Sequence, residues 1–173
     1  MLDGAEGEAV QAAMDLLVRY GEVLGAERLV DTDNVCGANL FGSRHLSVCG
    51  LTAPDDGFSP NDKGFSEHSL DASRPLAIPP VRAQSYQLIG PMDTENWEVQ
   101  GLAPEERDRI LESERYSAEH GIHLMNTCTP YQVGNVPVKG EHCAWMESSA
   151  VVYVNSVLGA RTNVEGREST GAA

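Results

Sequence analysis

The chain predicts an α/β fold, on three observations. Pro104 to His120 carries proline and acids in its first turn and Gly121 just past its end, the start and stop signals of a helix. The apolar Ile122-His-Leu-Met125 that follows reads as a short strand and runs into polar Thr127-Cys-Thr-Pro130, and helix, glycine, strand, polar loop is an α/β progression. The length of 173 residues and the 41% hydrophobic content suit one globular domain with a substantial core.

The elements follow in order. From Gly4 to Leu24, residues Val10, Ala13, Met14, Leu17, Val18 and Leu24 fall near helical spacing, and Gly25 ends the helix. Arg28-Leu-Val30 predicts a short strand before a turn at Asp31-Thr-Asp-Asn34. Residues 50–75 hold Gly, Pro, Asp, Asn and Ser without periodicity and read as a long loop or insertion within a domain spanning 1–173. Order returns at Leu76-Ala-Ile-Pro79, and Ser85 to Gly90 predicts a strand. After the helix of 104–120 and the strand of 122–125, the loop Gly134 to Gly140 leads into a predicted helix from about Glu141 to about Ser156. On that helix His142, Met146 and Ser149 share one face, Cys143, Glu147 and Val151 share another, and Ala150 to Val157 are core. Glu168 to Ala173 reads as the opening of a further helix, so the chain is expected to be a fragment.

Composition excludes several classes. A net charge of −14 and a pI near 4.6 leave too few clustered cations to hold nucleic-acid phosphates. No apolar run is long enough for a membrane helix, and the start, Met1-Leu-Asp-Gly-Ala-Glu6, is acidic where a secretory signal is basic, so a cytoplasmic location is expected. Cysteines at 36, 49, 128 and 143 show no Cys-x-x-Cys pair, which signals neither a disulfide framework nor a zinc ribbon.

Chemistry concentrates in the last third. Cys128, between two threonines and before Pro130, is either a small buried hydrophobe or a ligand at a strand end, where α/β sheets gather ligands. His142 and Glu141 can serve a helix start, and Arg161 either satisfies a helix C-terminus or captures a carboxylate bidentately. Cys143, Trp145 and Tyr153 read as packing residues, while Cys36 and Cys49 stay unassigned. His45, His68, His120 and His123 carry no informative spacing.

Six segments occur in one family's order: Met1 to Met14, Gly21 to Ala26, Thr127-Cys-Thr-Pro-Tyr131, Gly134-Asn-Val-Pro137, Gly140-Glu-His-Cys-Ala-Trp-Met-Glu-Ser-Ser-Ala-Val-Val-Tyr153 and Asn155-Ser-Val-Leu-Gly-Ala-Arg-Thr-Asn163. Together they resemble the large subunit of aconitase X, over nearly the whole chain except roughly residues 36–75. The resemblance implies an aconitase-like α/β/α domain and a hydro-lyase with an iron or iron–sulfur centre. It also implies a swivelling-domain partner, as a small subunit or by fusion. Substrates in such a family are cis-3-hydroxy-L-proline or, in archaeal relatives, mevalonate 5-phosphate. Val136 to Trp145 and Gly166 to Thr170 are worded more like the bacterial hydroxyproline type.

Carried over residue by residue, the resemblance makes Cys128 one thiolate ligand of iron and Arg161 the substrate-carboxylate contact. Thr127, Thr129 and Asn155 become hydrogen-bonding neighbours, and His142 and Glu147 are expected in acid–base or supporting roles. The sequence departs from the family in two ways. Members are more than twice this long, so the remaining metal ligands and the swivelling domain are expected beyond Ala173, and Cys36-Gly37 stands where relatives often have Ser-Gly. A truncated, non-catalytic module that keeps the fold or a partner interface is the alternative.

Overall fold

A computed structural model describes residues 1–37, 79–87, 93, 95–163 and 167–173. The expected loop at 50–75, Cys49, and the ends of two predicted segments, 76–78 and 88–90, lie outside the described residues. Five short strands form one parallel sheet: β1 (Asn34–Cys36), β2 (Gln84–Gln87), β3 (His123–Leu124), β4 (His142–Trp145) and β5 (Arg161–Thr162), in the spatial order β3-β2-β1-β4-β5. The chain fills one side of β1 with β2 and β3, then crosses to the other side for β4 and β5. Strand order thus reverses between β1 and β4, the position where open α/β sheets form a crevice at their carboxyl edge.

Helix α1 (Glu8–Leu24) forms where the apolar spacing predicts, and Gly25, in the left-handed region at φ 70°, sends its N–H back to the helix end. Helix α2 (Pro104–Glu119) also lies as predicted, and Gly121, at φ 89°, makes the reversal into β3. Two further helices among the described residues are α3 (Ser148–Tyr153) and α4 (Arg167–Ala172). The inner strands β1 and β4 are the buried ones, with Asn34 to Cys36 and Cys143 to Trp145 each in unbroken burial, whereas the edge strand β3 is exposed.

Two predictions fail here. The helix expected from Glu141 begins only at Ser148; residues 142–145 are instead strand β4, hydrogen-bonded between β1 and β5. Cys143, Ala144 and Trp145 are three consecutive buried residues, a demand that a surface helix with one apolar stripe cannot meet and an inner strand can. The shared faces proposed for a helix therefore dissolve: in a strand, Cys143 and Trp145 point one way and Ala144 the other. Arg28-Leu-Val30 is not a strand, and Leu29 and Val30 are exposed; pairing starts at Asn34, inside the expected turn, because partners from β2 and β4 take up the backbone of residues 34–36.

The core divides by sheet face. On one, Cys36, Cys143 and Trp145 pack with Ala150 and Val154 of the α3 region and with Ala160, with Tyr86 and Tyr131 alongside. On the other, Val35 and Ala144 meet Ile122, Val81 and Ala83, and α4 packs between α1 and β4. Of the segment expected to be core, Ala150 and Val154 are fully buried, whereas Val152 and Val157 are exposed. After α3 the chain widens into a π-helical turn over Val154–Leu158, and Gly159 at φ 76° releases it toward β5. Among the described residues, no helix is long and apolar enough to cross a membrane.

Candidate functional site at the carboxyl edge of the sheet

The site is built by what leaves the strand ends. Beyond β3, Asn126 adopts a left-handed backbone at φ 49°, the one non-glycine to do so among the described residues. Asparagine tolerates this conformation better than most residues, and strained turns gather at working sites. The reversal throws Thr127-Cys128-Thr129 off the sheet edge. There the Thr127 hydroxyl accepts the Thr129 N–H at 3.1 Å, the two hydroxyls lie 3.2 Å apart, and Thr129 Oγ1 donates to Gln132 Oε1 at 3.2 Å. Pro130 then opens a 3₁₀ turn through Gln132 and is itself buried. Cys128 is held half-buried in this locked turn.

Cys36 ends β1 at the same edge, directly followed by Gly37 at φ 114°, whose N–H donates to the Tyr86 carbonyl at 2.9 Å. Burial pushes the Cys36 thiol up to about 12, and the nearby Cys128 adds to the rise, which places the two sulfurs within electrostatic reach of one another. Burial likewise pushes Cys143 up to about 12, with Glu141, Asp33 and Cys36 contributing negative charge. Both thiols are protonated, inert core groups at neutral pH. Cys128 is the one cysteine among the described residues that is not fully buried.

Across the crevice, β4 delivers Met146, whose N–H donates to the Cys36 carbonyl at 2.9 Å, and then Glu147. Glu147 is the N-cap of α3: its carboxylate accepts the Ala150 N–H at 2.7 Å and the Ser149 hydroxyl. Partial burial pushes that carboxyl up, but the hydrogen bonds from Ser149 and the Ala150 and Ser149 N–H groups outweigh it and hold Glu147 below the usual glutamate value. It is an ionised cap with its lone pairs engaged.

The remaining sequence-predicted residues lie elsewhere. His142 opens β4 and Arg161 opens β5; they pair in register at the amino edge, with Arg161 Nη1 3.5 Å from His142 Nε2. The His142 N–H donates to Asp33 at 3.3 Å. Asn155 donates to the Ala160 carbonyl at 3.1 Å, bracing the turn that launches Arg161. The structure therefore brings Thr127, Cys128, Thr129 and Glu147 to the carboxyl edge, and gathers His142, Asn155 and Arg161 toward the opposite one.

Three polar residues, two of them buried, escaped the sequence reading as functional groups. Asn34 and Asn135 form a reciprocal amide pair at 2.6 and 3.2 Å, and the Trp145 indole N–H donates to Asn34 at 3.0 Å. This clamp fastens the loop after the cysteine turn across the sheet face. Asn163, past β5, accepts the Trp145 backbone N–H at 2.9 Å and donates to Ser169 and Thr170, tying the end of β4 to α4. Asn135 and Asn163 sit inside the quoted motifs, the one signal available; Asn34 gave none, since its partners lie over a hundred residues away.

Whether these groups suit an iron centre is a matter of donors. Among the described residues no three His, Cys, Asp or Glu side chains are grouped to hold a metal ion. The carboxyl edge supplies one half-buried thiol, Cys128, beside a buried and protonated Cys36, which is not a complete ligand set for a metal or cluster.

Comparison with known proteins agrees with the fold. A family profile described as aconitase X first domain matches residues 1–172. The phosphomevalonate dehydratase large subunit of Methanothermobacter thermautotrophicus is 40% identical over 169 residues, covering 96% of this chain and 37% of that protein. The cis-3-hydroxy-L-proline dehydratase of Hypocrea jecorina is 31% identical over 161 residues, covering 93% of this chain and 24% of that protein. The crystal structure of Thermococcus kodakaraensis aconitase X in its holo-form superimposes with a TM-score of 0.62 at 30% identity, over 99% of this chain and 38% of that one. The chain thus spans well under half the length of the relatives it matches. With its parallel sheet, its cysteine turn at the carboxyl edge and its nearly end-to-end match to the first-domain profile, the chain belongs to the aconitase X family.

Proposed function

We propose that this chain is the first-domain part of a hydro-lyase that removes water from a small 3-hydroxy acid, acting with a small swivelling-domain subunit or a fused equivalent. The observation that carries the reading is the Thr127-Cys128-Thr129 turn, locked at the carboxyl edge of a parallel sheet whose relatives are named dehydratases. The relatives named as large subunits support the small-subunit partner.

In such an elimination a base takes the proton from the carbon beside the carboxylate, and the hydroxyl on the next carbon departs, which requires its negative charge to be relieved. Mevalonate 5-phosphate and cis-3-hydroxy-L-proline share that arrangement. Thr127 and Thr129 contribute hydroxyls at the carboxyl edge, and among the described residues Cys128 is the thiol assigned to an iron or iron–sulfur centre, a reading supported by its partial exposure in the locked turn. The described residues do not complete a ligand set for such a centre. Glu147, ionised and pinned as a cap, orders the α3 start beside the crevice and is a poor proton shuttle. Arg161, at the amino edge with His142 Nε2 3.5 Å from its guanidinium, is assigned to the carboxylate of the substrate, with Asn155 bracing the turn that carries it.

Identity of 40% to a phosphomevalonate dehydratase, against 31% to a hydroxyproline dehydratase, favours the phosphorylated substrate, whereas the wording of residues 136–145 favours hydroxyproline. The test is to produce the chain with the remaining large-subunit sequence of its relatives and with a small subunit. Water elimination is then followed on both compounds. Turnover of one names the substrate; turnover of neither, in a folded and iron-loaded assembly, removes the hydro-lyase reading and leaves a binding or interface role.

A further inference from the structure

Two neighbouring segments carry no Asp, Glu, Lys, Arg or His, in a chain that is 22% charged with a net charge of −14. They are Tyr131 to Val138, just after the cysteine turn, and Ser148 to Ala160, through α3 and the π-helical turn. Val133, Val136 and Val138 in the first and Val152 and Val157 in the second are each more than half exposed, and Tyr153 is exposed with them. Single apolar side chains on a surface need no explanation; a group of them on charge-free segments does.

The two segments form one face. At one end the Tyr131 ring stacks on Tyr153 with centroids 4.1 Å apart. At the other the Gly140 N–H donates to the Gly159 carbonyl at 2.9 Å, and the Lys139 side chain passes over Gly159. Pinned at both ends, the loop runs alongside the helical segment in the same direction. Ala150 and Val154 turn inward to the core on the Cys36 face of the sheet, which leaves Val152, Tyr153 and Val157 outward. The face adjoins the candidate site, since Tyr131 lies in the 3₁₀ turn that Pro130 opens and Glu147 caps α3 at the carboxyl edge. Depletion of charge together with aromatic side chains marks the core of an interface.

What covers it follows from the length of polypeptide outside the match. This chain covers 37% of the Methanothermobacter large subunit and 38% of the holo-form aconitase X chain, so more than half of each lies beyond the matched part. A second copy is a poor occupant, because each brings a net charge of −14. A face left for a separately made subunit stays bare in every unassembled copy, which is an aggregation liability. A segment of the same polypeptide covers it as the chain folds, at the high effective concentration of a tether. We infer that the outer face of α3 and the loop 131–138 is the docking surface for the rest of the large-subunit polypeptide, which folds back over it beside the cysteine turn. This rests on the reading of the chain as the first-domain part of a large subunit, and not on the dehydratase reaction.

The test uses the complete two-subunit assembly, with the photo-reactive residue p-benzoylphenylalanine in place of Val152 in one preparation and of Val157 in another. After irradiation the cross-linked peptides are sequenced by mass spectrometry. The expected partner is a large-subunit peptide from beyond residue 173, in a product that migrates as one large subunit on a denaturing gel. A cross-link to the small subunit, or a product with the mass of two large subunits, overturns the inference and gives the face to that partner. Cross-links confined to residues 1–173 overturn it and leave the face free. The wild-type large subunit without its small subunit gives a reading that needs no substitution: hydroxyl-radical labelling of Val138, Val152 and Val157 should fall about fivefold below that of the urea-unfolded chain, as for side chains in the buried core of an interface. Labelling near the unfolded level, or protection that arises only when the small subunit is added, overturns the docking. Turnover enters neither readout, so loss of the dehydratase reading leaves this result standing.

Discussion

Replacing Asn135 with Ala tests the clamp that holds the loop after the cysteine turn. Asn34 and Asn135 are each 3% exposed and exchange two hydrogen bonds, while Asn34 also receives the Trp145 indole N–H. Truncation removes both amide–amide bonds, each worth about 0.5–1.5 kcal/mol net, and strands the Asn34 amide donor in the core, which adds about 1–3 kcal/mol when no water reaches it. Partial relaxation offsets some of this, so the expected loss is about 2–4 kcal/mol. For a chain of this length that lowers the melting temperature by about 4–16 °C. Urea titration followed by circular dichroism and by tryptophan fluorescence measures it. The double replacement of Asn34 and Asn135 by Ala should cost less than the sum of the single ones, because the second change removes a donor the first had already orphaned. A loss below about 0.5 kcal/mol for Asn135→Ala, or strict additivity of the pair, would refute the clamp.

Two further outcomes are expected. Alkylation of the folded protein at pH 8, mapped by mass spectrometry, should modify Cys128 well before Cys36 or Cys143, whose thiols burial has pushed up to about 12; modification of either at a comparable rate contradicts their placement. Glu147→Ala should cost about 1 kcal/mol of stability through the lost cap. Because the folded carboxyl lies below its ordinary value of 4.5, the wild-type advantage should be complete above that pH and fade as pH falls through the lower folded value. A difference between the two proteins that stays constant down to pH 2 would rule out the carboxylate as its source.

How much could be read in advance depended on how local each cause was. Helices α1 and α2 were legible because their apolar spacing, first-turn acids and closing glycines act within a few turns. The Thr127-Cys-Thr-Pro130 turn was legible at a strand end for the same reason, since its hydroxyl and N–H partners are its immediate neighbours. Strand β4 was not: His142 to Trp145 is four residues long, flanked by a sequence that suits a helix, and becomes a strand because β1 and β5 lie on either side of it.

The candidate site divides along the same line. Residue types and their order determined the family, through six segments at both ends of the chain, the α/β class and the presence of a polar cysteine turn. Only the tertiary structure decided that His142 and Arg161 open their strands while Glu147 follows the end of β4, because that depends on parallel pairing between segments far apart in the chain. It alone decided that Asn34 joins Asn135 and that Cys36 is buried within reach of Cys128. Local signals specify helices, caps and turns through bonds that close within a few residues; burial and register are set by the neighbours a strand acquires when the chain folds back, and no window of sequence contains them.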